Sequence, residues 1–211
     1  MKRILACFLV LILVSVSVFA TADQISGGWS VSVTAGSLKL DKEARQALKK
    51  ASETYTGAKL VPLALLGKQI VAGTNYCILC HSTTSTLKPV KSLCLVYVYQ
   101  DLNNKAEITK IKTLKLKYKP AGGWKISNSV KKLAVESQAK KALKTAAKEL
   151  VGAEYKPLLV LGRDNSKKAY CLLCRCKKSD QAGTVSLSLV YLRKVDGKFT
   201  IKGISDLKIA R

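Results

Sequence analysis

Apolar and polar residues change their period once in the first half of the chain. From Asp41 to Tyr55, the apolar positions Ala44, Ala47, Leu48, Ala51 and Tyr55 recur at helical spacing. Asp41 stands where an N-cap belongs and Gly57 supplies a stop, so the pattern predicts one amphipathic helix. Four runs of strand-forming residues follow, at Lys59 to Lys68, Thr74 to Ser82, Lys91 to Gln100 and Ala106 to Leu116, parted by turn-like stretches such as Asn103-Asn104. A helix followed by an antiparallel meander predicts an α+β unit of one helix on a four- to five-stranded sheet.

The unit occurs twice. Gly27-Gly28-Trp29 returns as Gly122-Gly123-Trp124, Ala47-Leu48-Lys49 as Ala142-Leu143-Lys144, and Pro62-Leu63 as Pro157-Leu158. After a deletion of one residue, Tyr76-Cys77-Ile78-Leu79-Cys80 returns as Tyr170-Cys171-Leu172-Leu173-Cys174. The expected organisation is a first domain over residues 23–116, a short Pro-containing linker over 117–121 and a second domain over 122–211. About 90 residues per copy can hold a modest core of their own.

Residues 1–22 run from Lys2 and Arg3 through an apolar stretch to small residues around Ala20 and Ala22, the pattern of a secretory signal peptide. That stretch is too short to span a bilayer, and no later one is long and uncharged enough. The expected product is secreted or otherwise extracytoplasmic, without a transmembrane segment. Removing the leader takes the formal charge from +24 to +22. Such an excess attracts anionic surfaces. The lysines are spread through both halves with no arginine cluster, which argues against nucleic acid as the partner.

Between the first two long strand runs lies Gln69-Ile70-Val71-Ala72-Gly73-Thr74-Asn75-Tyr76. This segment resembles the Gln-x-Val-x-Gly loop of the cystatins and stefins, and it falls at the same point in the order of elements. Gly27-Gly28 precedes the helix as the family's N-terminal glycine does, and Gln100 to Asn104 stands where the family has its second loop. The resemblance covers residues 27–116 and implies two tandem cystatin-like domains. It also implies a function without catalysis, the plugging of a papain-like cysteine protease cleft. Gly27, Gly28, Gln69, Ile70, Val71, Ala72, Gly73 and Leu102 would carry that contact, and no cofactor is expected. In the second copy the loop has become Asp164-Asn165-Ser166-Lys167-Lys168-Ala169, so that copy is read as a scaffold without the inhibitory edge. The alternative is a non-inhibitory, strongly basic binding module. Trp29 and Trp124 recur in both copies and are assigned to packing.

Cys77-Ile78-Leu79-Cys80-His81 matches the attachment signature of c-type haem. A strand sends Cys77 and Cys80 to opposite faces, the only methionine is Met1, and Arg175 replaces the histidine in the second copy, so the haem reading fails. The same alternation opposes a zinc site from Cys77, Cys80, His81 and Cys94. In an exported chain, Cys77, Cys80, Cys94, Cys171, Cys174 and Cys176 are candidates for disulfides or buried thiols, with no pairing specified by the sequence.

Overall fold

In the computed structural model, which describes residues 28–34, 36–179 and 185–209, Asp41 caps the first helix. Its carboxylate accepts the Ala44 N–H at 2.8 Å. Helix α1 spans Lys42–Glu53 and buries Ala44, Ala47, Leu48 and Ala51 of the stripe the periodicity marks, while Tyr55 lies beyond its end, past the C-cap Thr54. The second copy answers with α2 at Ser137–Ala146, which buries Ala139, Ala142 and Leu143. The expected signal peptide lies outside the described residues.

The meander forms in both copies. Strands β1 (Trp29–Val31), β2 (Ala58–Val71), β3 (Gly73–Thr84), β4 (Lys91–Gln100) and β5 (Ala106–Thr113) make one antiparallel sheet in sequence order. Strands β6 (Lys125–Ile126), β7 (Ala153–Arg163), β8 (Ala169–Lys178), β9 (Val185–Val195) and β10 (Lys198–Asp206) make the other, with the same order. Strand β5 ends at Thr113, before the Leu116 that its sequence pattern suggests.

The expectation of two cystatin-like domains, each a helix on its own sheet, is overturned. Half of the described residues are in strands and 16% in helix, so the fold is α+β only in a loose sense. The physical reason lies in which faces are buried. One core joins residues of both sheets: Leu66, Cys77, Leu79 and Leu95 from the first pack with Leu161, Cys171, Leu173 and Leu189 from the second. Two smaller cores sit on the outer faces, under α1 with Ile78, Val96 and Val98, and under α2 with Leu172, Val190 and Leu192. The layers therefore run helix, sheet, sheet, helix. Each sheet is apolar on both sides, and one helix cannot cover two faces.

The two halves clasp each other reciprocally. After β5 the chain stays on its own sheet for one hydrogen bond, Leu114 N–H to Leu93 O at 2.8 Å. Leu116 then reaches Gly162 of the second sheet, where a Cβ would come within 3.0 Å of its Cδ1. The second half repeats the move, with Leu207 N–H donating to Leu187 O and Ile209 lying against Gly67.

Among the strand edges without a full partner are those of β2 and β7, each met only by a short strand. Strand β1 covers Gly67, Lys68 and Gln69 of β2, and beyond it Ser32 N–H donates to Leu66 O and Leu65 N–H to Leu38 O, while β6 covers Gly162 and Arg163 of β7. Along the rest of each edge sits a proline, Pro62 or Pro157, beside a break in register with the next strand. Proline has no N–H to offer a neighbour, and a bulge twists the strand locally.

Candidate functional site

The Gln69 to Gly73 segment forms the tip of the β2–β3 hairpin. Ile70 pairs with Thr74 and Val71 with Gly73, leaving Ala72 alone at the apex. A tip this tight requires an unusual backbone, and Gly73 adopts φ +118°. It is also crowded: a Cβ there would run into the Gln100 carbonyl and the Tyr99 ring. Ile70 and Val71 are 55% and 42% exposed, an uncommon use of β-branched residues at a turn.

Gln69 is held from both sides of its strand. Trp29 of β1 lies opposite it in register, which brings Gly28 level with the exposed Ile70. Across the hairpin, Asn75 Nδ2 donates to Gln69 Oε1 at 2.9 Å. Trp29 meets Tyr97 edge-on, with ring centroids 6.0 Å apart, and so anchors β1 beside the hairpin. Gly27 lies outside the described residues.

The turn from Asp101 to Asn104 follows directly on Gln100, the residue paired with Thr74. Asp101 organises it by accepting the N–H groups of Asn103 and Lys105 at 2.9 and 2.8 Å. Asn104 takes φ 61°, and its carbonyl accepts Lys50 of α1 at 2.9 Å, which ties the turn to the helix. Leu102 is 80% exposed at its crest. One further bond joins the loops: Tyr99 Oη donates to the Ala72 carbonyl.

Gly28, the hairpin tip and the Leu102 turn thus occupy one end of the first sheet, an edge with three exposed apolar side chains. Sequence reasoning missed Tyr99. Its position one residue before Gln100 shows only that it alternates with its neighbours, while its partner, Ala72, is 27 residues away.

The equivalent end of the second sheet is built differently. Asp164 Oδ1 accepts Lys168 N–H and Ala169 N–H at 2.7 and 2.9 Å, so the turn is closed by its own carboxylate. Burial alone would raise the Asp164 pKa, but these bonds and the Ser166 hydroxyl hold it below the usual range. Lys167 and Arg163 both pair with Glu136, at 3.1 and 3.4 Å. The linker is laid onto this sheet, with Tyr118 against Tyr191 and Trp124 Nε1–H donating to Lys117 O at 3.0 Å.

The cysteines lie away from both edges. All six among the described residues are buried free thiols. Cys77 faces the core between the sheets and Cys80 the core under α1, so the two do not converge on one ligand. Cys94 is directly opposite Cys80 in register and donates weakly to its carbonyl at 3.7 Å.

No protein-family model and no curated protein matches the chain.

Proposed function

We propose that the first half is an inhibitor of papain-like cysteine proteases, acting as a plug. The supporting observation is the shared edge, in which Gly28, the Ile70-Val71-Ala72 tip and Leu102 stand at one end of the sheet, braced by Tyr99. A narrow rim with three exposed apolar side chains suits burial in a cleft, because water is displaced from surface that makes no hydrogen bonds. The resemblance of Gln69 to Tyr76 to the cystatin loop supplies the class of target. The proposal concerns this edge and not the architecture behind it. The second half contributes a scaffold: its equivalent turn is charged and closed on itself.

The test is a titration of a papain-like protease with the chain lacking residues 1–22. Tight, reversible inhibition is expected, lost on Val71→Asp and unchanged by Lys167→Glu in the second turn. Full protease activity at micromolar concentrations of the protein would overturn the proposal.

A further inference from the structure

A groove on the far side of the second sheet is independent of the inhibitory edge. It lies between α2, with the short 3-10 turn Ala147–Glu149 that extends it, and the edge of β7, and is a shallow, open groove of about 710 Å³. Its floor is apolar, made by Leu143, Ala147, Tyr155 and Pro157. Lys140, Lys144 and Lys148 stand along the helical wall at intervals of four residues, on one side. None of the three makes an ion pair with a described side chain. The described lining holds one acid, Glu154, and strand alternation turns it to the face opposite Tyr155, in register with Lys177.

The first copy keeps part of the floor and two of the three cations. Leu48 and Pro62 stand for Leu143 and Pro157, and Arg45 and Lys49 for Lys140 and Lys144, whereas Ser52 replaces Ala147 and Glu53 stands where the second copy has Lys148. A helix C-terminus attracts a cation in its last turn, but that accounts for one lysine and not for a row of three. Lysines over an apolar floor complement a molecule with one charged end and a hydrocarbon body. A peptide strand is a poor occupant, because Pro157 lacks an N–H and the register breaks between Pro157 and Leu159.

We propose that this groove binds a single-chain anionic amphiphile of the fatty-acid class, its chain on Leu143, Ala147 and Pro157 and its carboxylate among Lys140, Lys144 and Lys148. The groove is open along its length, which suits a chain that lies on the surface with its charged end in water. Calorimetric titration with dodecanoate, below its micelle-forming concentration, should show saturable binding to one site. Dodecanol should bind about tenfold more weakly, and so should dodecanoate to a Lys144→Glu, Lys148→Glu double variant. Both lysines are exposed, and an unchanged circular dichroism spectrum would show that the fold survives. Lys49→Glu in the first copy should leave binding unchanged. Equal affinity for dodecanol, undiminished binding by the double variant, or displacement of dodecanoate by inorganic phosphate or a short acidic peptide at equal concentration would each overturn the assignment.

Discussion

Two residue types show how much a side chain's surroundings decide. Tyr99 is an ordinary strand tyrosine until its hydroxyl reaches Ala72, where it ties the second turn to the hairpin tip. Tyr99→Phe removes that one hydrogen bond, so denaturant unfolding should show a loss of about 1 kcal/mol and protease inhibition should weaken about fivefold. If both quantities stay at the wild-type level, the hydroxyl is not a brace. The cysteines show the opposite case, groups whose chemistry is suppressed. Burial pushes the Cys77 thiol up to about 12 and Cys94 up to about 11, and it raises Cys80, Cys171 and Cys174 as well. A thiol reagent at mildly alkaline pH should therefore leave these five thiols unmodified in the native protein, and once denaturant is added it should titrate them together with Cys176, which is also buried. Rapid labelling of the folded protein would contradict the burial.

At the scale of the element, α1 was the most legible part of the chain, because cap and stripe agree, although the helix ends at Glu53, two residues before the Tyr55 that its pattern includes. Its start also answers to pH. Burial would raise the Asp41 pKa, but the Lys68 ammonium and the Ala44 N–H hold it below its ordinary 3.8. The folded protein therefore binds that proton more weakly than the unfolded chain does. The stabilisation is whole above pH 3.8 and fades as pH falls through the lowered value. Asp41→Asn keeps a cap but loses the charge, so its melting temperature should lie below wild type at neutral pH and converge with it in acid. A difference that persists in strong acid would mean that the charge is not the cause. The hairpin was legible for a similar reason, since Gly73 and the β-branched tip mark a turn locally. Strand β1 was not, because three residues have no period of their own and acquire a place only by pairing with Gly67 to Gln69.

The pairing of the two sheets belongs to the whole molecule, and the sequence carried its trace. Leu63 to Leu66, Cys77 to Cys80 and Leu93 to Val98 are unbroken buried runs, where a sheet wet on one face would alternate. What no local pattern could supply was the identity of the second cover, because the partner face lies a full repeat away. Residues 23–116 expressed alone would expose Leu79, Leu95 and Tyr97, and sedimentation should find them dimeric or aggregated, while the whole chain melts in one transition. A monomeric fragment with its own cooperative melt would show that the shared core is dispensable. Pro62 and Pro157 bear on the fate of many molecules together. A bare strand edge is a template on which copies zip into fibres, and these two edges are interrupted at the same place in each repeat by a residue that cannot donate and a strand that bends. A residue that cannot donate and a strand that bends thus make these two borders poor templates for a further copy.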